Sequence, residues 1–255
     1  MIDFHSHVIP YIDDGAKNFD MSVDMLKLAV TEGTEYICAT SHFIPGELEV
    51  DRNIYFEKLN NLRQLCVLKD INISILPALE LYMHPDLPKL YSEKKLWGIN
   101  NTPYLLIELP MQQFPVYTED VLYELRLMGA IPIIAHPERN FRIMKDIALL
   151  ENLVEQGTLA QMNAGSLRGI YGKDIKEFAE KLVARRLIHF LGSDAHDDKR
   201  RTTQIEAAFN AIKSKDLELY NWMKENHYNV IEGKAVEALP VRPAKKKFNL
   251  FGLLK

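Results

Sequence analysis

The sequence predicts an α/β protein, built as a distorted seven-stranded (β/α)7 barrel of the TIM-like kind. Three observations carry this. Short apolar runs alternate with amphipathic stretches along most of the chain, the pattern of a parallel sheet covered by helices. The apolar runs are nearly continuous rather than alternating, as strands buried on both faces require. Polar residues stand at the C-terminal end of nearly every run. A barrel gathers all its strand ends on one rim, whereas an open doubly wound sheet concentrates its site at one switch point. No glycine-rich phosphate loop follows the first run, which also counts against a nucleotide-binding sheet.

The first strand begins at Met1-Ile2 and runs into Asp3-Phe4-His5-Ser6-His7, with Asp13-Asp14-Gly15 in a turn beyond. Residues 20–33 carry Met21, Met25, Leu28 and Ala29 at helical spacing, and Gly33 suits a C-terminal stop. A second strand, 36–40, leads to Ser41-His42; a helix follows over 51–68. The third strand is expected over 71–79, with Glu80 at its end, then a loop rich in proline and charge. The fourth, 104–107, ends at Glu108, and a helix over 118–128 has Thr118 as its expected cap. The fifth, 131–135, ends at His136 and is followed by one helix over 141–156. The sixth, 159–162, ends at Asn163, before a helix over 174–186. The seventh, 188–192, ends at Ser193-Asp194-Ala195-His196, and helices over 203–213 and 217–226 complete the compact part. The barrel is expected over 1–239. Beyond it, 240–255 reads as a mobile tail, with Pro240 and Pro243 breaking structure before a basic, apolar end that could also dock on a partner or a membrane surface.

Composition bounds the function. At 255 residues, with 47% hydrophobic and 26% charged, the chain is ordinary globular material. A net charge of −4 gives no footprint for nucleic acid. No charged leader with an apolar core opens the chain, and no apolar run reaches the roughly 18 residues of a membrane span. The two cysteines, Cys38 and Cys66, make neither a disulfide framework nor a zinc cluster, so a reduced, cytoplasmic protein is expected.

The chemistry lies in the strand ends: His5, His7, Asp14, His42, Glu80, Glu108, His136, Asp194 and His196. Five of the eight histidines fall there; His84, His189 and His227, in a loop, within a strand and after a helix, read as structural. Side chains two apart on a strand share a face, so His5 and His7 can converge on one ion. Mixed imidazole and carboxylate ligands without thiolate disfavour a structural zinc site and suit a multinuclear hydrolytic centre of Mn2+, Fe2+ or Zn2+. Four carboxylates against three divalent ions would leave positive charge for an anionic substrate, such as a phosphate ester. Arg139 and Arg201 leave the same rim, and a guanidinium fork matches phosphate; the plain alternative for each is a surface salt bridge. Phe43, Phe114, Phe141 and Tyr171 lie near rim loops and could meet an aromatic substrate. A cysteine-nucleophile phosphatase is excluded, because six residues after Cys38 stands Ile44 and after Cys66 stands Asn72, where that chemistry needs arginine. Gly-x-Ser-x-Gly is also missing.

Taken in order, Asp3-Phe4-His5-Ser6-His7, Asp14-Gly15, Ser41-His42, Glu80, Glu108, Ala135-His136-Pro137-Glu138-Arg139, Asn163-Ala164-Gly165-Ser166 and Gly192-Ser193-Asp194-Ala195-His196 resemble the PHP (polymerase and histidinol phosphatase) superfamily. The likeness is to its bacterial tyrosine-phosphatase branch, the CpsB/YwqE type, and runs from residue 1 to about 226. It implies the PHP fold and three divalent metal ions, Mn2+ foremost, with Fe, Mg or Zn as alternatives. It implies that His5, His7, Glu80 and Asp194 hold one ion, that Glu80 bridges to a second held by Glu108 and His136, and that Asp14, His42 and His196 hold the third. Arg139 and Arg201 would bind phosphate. The implied substrate is the phosphotyrosyl tail of a bacterial tyrosine kinase controlling capsule or exopolysaccharide export. Alternatives are a PHP phosphoesterase acting on a small monoester such as histidinol phosphate, an amidohydrolase (whose bridging lysine is missing at Glu108), and a non-enzymatic scaffold.

Overall fold

Residues 1–243 are described by the structure, a computed structural model. Seven parallel strands follow one another around the sheet in chain order. They are β1 (Ile2–Ser6), β2 (Tyr36–Phe43), β3 (Ser74–Tyr82), β4 (Tyr104–Glu108), β5 (Ile131–Ala135), β6 (Leu159–Asn163) and β7 (Phe190–Gly192). Around them stand α1 (Phe19–Thr31), α2 (Arg52–Leu68), α3 (Leu87–Ser92), α4 (Thr118–Leu127), α5 (Phe141–Lys145), α6 (Ala148–Glu155), α7 (Ala164–Arg168), α8 (Lys173–Arg185), α9 (Glu206–Lys215) and α10 (Leu217–Ile231).

The helices form where capping and stripe agree. Asn18 and Asp51 cap α1 and α2 through side-chain oxygens that accept from Met21 N (2.9 Å) and from Asn53 N and Ile54 N (2.9 and 3.0 Å). The buried residues of α2 are Tyr55, Leu59, Leu62 and Cys66, one stripe of a helix surface. The Tyr55 hydroxyl donates to Ala39 O and accepts from Ala78 N (2.5 and 3.0 Å), pinning the helix to the β2–β3 pair.

The barrel closes between β7 and β1 without a full ladder. Asp194 N donates to His5 O (2.7 Å) and His7 N to Ala195 O (2.9 Å). The buried Asp3 carboxylate reinforces the seam, its Oδ1 accepting from Ser193 N (2.8 Å) and His5 N (3.2 Å). A Cβ at Gly192 would lie 2.4 Å from His5 Cβ, so only glycine lets β7 come this close to β1.

Several elements depart from the sequence expectation. β3 starts and ends three residues later than expected, so Glu80 lies inside it rather than after it. The stretch expected as one helix over 141–156 is broken at Asp146-Ile147 into α5 and α6. α3 occupies a stretch expected as a loop, and α7 one to which the sequence assigns no element. Thr118 is not a cap: Tyr117 holds that position, and the buried Thr118 hydroxyl has no partner. α10 runs to Ile231, which places His227 within a helix, while His189 sits just before β7 rather than in it. The chain beyond α10 returns across the barrel, with Leu239 and Val241 packed on the core. There Arg242 N donates to Arg185 O (3.0 Å), and the Arg242 guanidinium meets Asp216 (2.7 Å), which also accepts two bonds from the buried Arg186. Of the tail expected over 240–255, Val241 and Arg242 therefore lie against the barrel, and 244–255 lie outside the described residues.

Candidate metal centre

The strand ends converge as a barrel requires. Asp14, His42, Glu80, Glu108, His136, Asp194, His196, Arg139 and Arg201 line one cavity of about 240 Å³. His5 and His7, fully buried, form part of its floor through their contacts with Glu80. His7, Asp14, His42 and His196 bring ligand atoms within 4.8 Å of one another, as do His5, His7 and Glu80, and also His42, Glu80 and Glu108. His136 Nε2 stands 3.0 Å from Glu80 and 3.6 Å from Glu108. Asp194 Oδ1 stands 3.6 Å from Nε2 of both His5 and His7. Two of these residues adopt left-handed backbone that side chains rarely take: His136 (φ 31°) and Asp194 (φ 53°). Such conformations concentrate at functional sites, because the position needs both the turn and the side chain.

The hydrogen bonds behind the centre decide which nitrogens face it. An ionised Asp194 can only accept, so Asn163 Nδ2 donates to its Oδ2 (2.7 Å). Asn163 Oδ1 then accepts from Gln161 Nε2 (3.1 Å), which turns Gln161 Oε1 to His5 Nδ1 (2.9 Å). His5 Nδ1 must carry the proton, leaving Nε2 as a lone pair aimed at the centre. Asp13 does the same for His7, its Oδ2 accepting from Nδ1 at 2.9 Å, and Asp194 O accepts from His196 Nδ1 at 3.1 Å. His5 Nε2 and His7 Nε2 thus face each other at 3.2 Å. Two lone pairs at that distance repel unless a proton or cation stands between them.

The electrostatics repeat the point. Burial favours the neutral ring, yet Asp13 and Glu80 hold the His7 pKa up at about 9. Against the same burial, Asp14 and Glu80 raise His42 to about 11. Glu80 is held well below the usual carboxylate range by His5, His136 and His42, despite complete burial. Glu108 moves the other way, raised by burial and by Glu80. Glu80 Oε2 has three imidazole nitrogens around it, His42 Nδ1 at 2.9 Å and Nε2 of His5 and His7 at 3.2 and 3.3 Å. Converging lone pairs and buried carboxylates crowded by imidazoles form a donor set that fits divalent cations.

Arg139 and Arg201 both bond Asp194 Oδ2, at 2.8 and 2.7 Å. Arg139 also lies over the Tyr171 ring, 4.6 Å from its centroid. Gly165 makes room for that loop, since a Cβ there would sit 2.4 Å from Ile170 Cδ1 and 3.1 Å from Tyr171 Cε2. Of the aromatic residues suggested for the rim, Phe43 is buried in the core and faces no substrate, while Phe141 is 43% exposed.

Sequence reasoning missed three supporting residues. Asp13 reads in sequence as part of a turn, although a second acidic residue beside a proposed ligand is a usable signal. Gln161 is polar in the middle of an apolar strand, which was also legible. Glu138 is fully buried and accepts from Asn163 N (3.0 Å) and the Ser166 hydroxyl (2.6 Å), tying the β5 loop to the end of β6.

Comparison with known proteins places this arrangement. The family model described as capsular polysaccharide synthesis, CpsB/CapC, matches residues 1–231. The tyrosine-protein phosphatase YwqE of Bacillus subtilis (strain 168) is 36% identical over 253 residues, covering 99% of each chain. A putative tyrosine-protein phosphatase CapC of Staphylococcus aureus is 34% identical over 256 residues, covering 100% of both. Among solved structures, one from work on YwqE of Bacillus subtilis and CpsB of Streptococcus pneumoniae, described as metal-dependent tyrosine phosphatases, superposes with a TM-score of 0.92 at 36% identity. It covers 96% of this chain and 100% of that one. A histidinol phosphate phosphatase from Lactococcus lactis, at 17% identity and a TM-score of 0.56 over 84% of this chain and 93% of that one, shares the fold. With the family model spanning the whole barrel and relatives aligned end to end, the chain belongs to the CpsB/CapC family.

Proposed function

We propose that the chain is a metal-dependent protein-tyrosine phosphatase that acts on the phosphotyrosyl tail of a bacterial tyrosine kinase, in the cytoplasm, and so regulates capsular or exopolysaccharide synthesis. The observation that carries this reading is the two-sided Asp194: Oδ1 turns to the imidazoles and Oδ2 to two arginines. Cation ligands and phosphate ligands thus meet at one carboxylate. Full-length similarity to proteins named tyrosine-protein phosphatases supports the substrate. Among the described residues no helix is long and apolar enough to cross a membrane.

The ions, three in number and Mn2+ by preference, would be held by His5, His7, Asp14, His42, Glu80, Glu108, His136, Asp194 and His196. His7, His42 and Glu80 each belong to two of the ligand groups, so the centre is one connected unit rather than three isolated sites. When bound, divalent ions supply Lewis-acid charge and make water a usable nucleophile near neutral pH. The chain's residues do the rest. Arg139 and Arg201 hold the phosphate oxygens and neutralise charge on the transferring group. Tyr171 keeps Arg139 in place from below. Gln161 and Asp13 keep His5 and His7 in the tautomer that ligates. The leaving phenolate, whose conjugate acid has a pKa of about 10, departs with less help from an acid than an alkoxide needs. The cysteines take no part: both are buried, and burial pushes the Cys38 thiol well above its usual pKa.

Turnover of phosphotyrosyl peptide, phosphoseryl peptide and histidinol phosphate, each with Mn2+ and with a chelator, tests the proposal. Metal-dependent preference for the phosphotyrosyl peptide, unaffected by iodoacetamide, is expected. Preference for histidinol phosphate, or activity that survives the chelator, would overturn it.

A further inference from the structure

Beside the metal pocket runs a second, larger depression of about 840 Å³. Its walls include Tyr82, Met111, Phe114, Val116, Tyr117 and Arg142. Tyr82 and Met111 line the metal pocket as well, so the two are continuous. All the walls come from the rim: Tyr82 ends β3, 110–117 follows β4, and Arg142 opens α5 after β5. The loop is built in advance rather than left to a ligand. The buried Asn140 amide donates to Pro110 O and Gln113 O (2.8 and 2.9 Å), and Phe141 N donates to Met111 O (2.8 Å). Yet this tethered loop holds Val116 98% exposed, beside the half-buried Phe114 and Tyr117. Arg142 is exposed, and among the described residues its guanidinium meets no carboxylate within 4.0 Å.

We infer that this groove holds the polypeptide flanking the phosphotyrosine, an extended segment with an apolar side chain against Phe114 and Val116 and an acidic one at Arg142. The inference rests on the phosphatase reading and adds to it which part of the substrate is recognised. Two features select this occupant. The metal pocket, at about 240 Å³, is far smaller than the groove, and the chain attached to a ring bound there must leave over a wall. The Tyr82–Met111 wall leads directly into a tethered, partly apolar surface that ends at the Arg142 guanidinium. An aryl phosphate with no peptide attached ends before the groove and gains nothing from it.

The test compares steady-state kinetics of the Mn2+-loaded full chain on para-nitrophenyl phosphate and on phosphotyrosyl peptides with acidic and apolar flanks. Val116→Glu and Arg142→Glu are each expected to raise KM for the peptide about tenfold, with aryl phosphate turnover unchanged, since desolvated anchors and charge pairs of this kind carry that much binding energy. Replacing the peptide's acidic residues with lysine should then favour Arg142→Glu over the wild type. Unchanged peptide KM in both variants, or an equal loss on both substrates, would overturn the groove while leaving the phosphatase standing. A wild-type protein idle on both substrates would remove the phosphatase reading, and this inference with it.

Discussion

His5 and His7 present Nε2 to the centre because their Nδ1 atoms are already bonded, to Gln161 and Asp13. Partners of this kind typically set metal affinity by about 10–100-fold. Gln161→Met and Asp13→Asn are therefore expected to weaken metal binding by about that factor with the fold retained, as read by titration calorimetry and circular dichroism. Asp14, 69% exposed at its side chain, should behave differently: Asp14→Ala is expected to lower the bound metal by one ion, and His5→Ala to disrupt the central pair, in elemental analysis of the purified variants. Metal uptake should also release protons near pH 7, because His7 and His42 hold theirs to about 9 and about 11. Unbuffered calorimetry or a pH indicator would record it. At this scale the sequence was informative about which side chains converge, since the candidate ligands stand at or near strand ends. It was silent where a side chain works through another. Whether Gln161 faces a histidine depends on β6 and β1 both flanking the short β7, which no local pattern states.

Among the elements, β7 is only three residues long and closes the barrel through a handful of bonds to β1. Gly192 is its critical point. Gly192→Ala would place a methyl group 2.4 Å from His5 Cβ and 2.9 Å from His5 N; the expected cost is about 1–3 kcal/mol of stability, the usual scale of overpacking, together with loss of activity. Urea denaturation and metal content would check both. The strands were largely legible because each is an apolar run bounded by a polar end. β3 was misplaced because Ile71 and Ile73 extend the apolar run N-terminally, whereas the ladder with β2 begins only at Ser74, opposite Tyr36. The break between α5 and α6 hid for a related reason. Asp146-Ile147 keeps a helical spacing of apolar residues, and Asp146 leaves the helical conformation (φ −137°, ψ 92°) without glycine or proline to announce it.

For the whole molecule, two histidines outside the centre tie stability to pH. His189 and His227 are fully buried, and burial lowers their pKa from 6.5 to about 4 and about 3. His227 packs edge-on against Phe4 of β1, 4.7 Å between centroids. Folded, both rings stay neutral; unfolded, both take a proton near 6.5. The unfolded state therefore binds more protons below that value, and stability falls as pH drops from about 6.5 towards 4 and 3, by about 1.4 kcal/mol per pH unit for each ring. The urea midpoint should decline accordingly, with a shallower slope in His227→Phe. Metal acts in the same direction as higher pH. An ion present at a thousand times its dissociation constant adds about 4.1 kcal/mol, so a chelator is expected to lower the melting temperature.

Asp194 has a further consequence at this scale. One oxygen faces the imidazoles and the other faces Arg139 and Arg201, so in the proposed site a single carboxylate would be common to two binding equilibria. Thermodynamic linkage makes such sharing reciprocal: whatever factor the ions add to affinity for an oxyanion, the oxyanion returns to the ions. Phosphate, the product of the proposed reaction, would then raise the equilibrium affinity for the ions by the same factor, and an enzyme working on abundant substrate would hold its metals more tightly than an idle one.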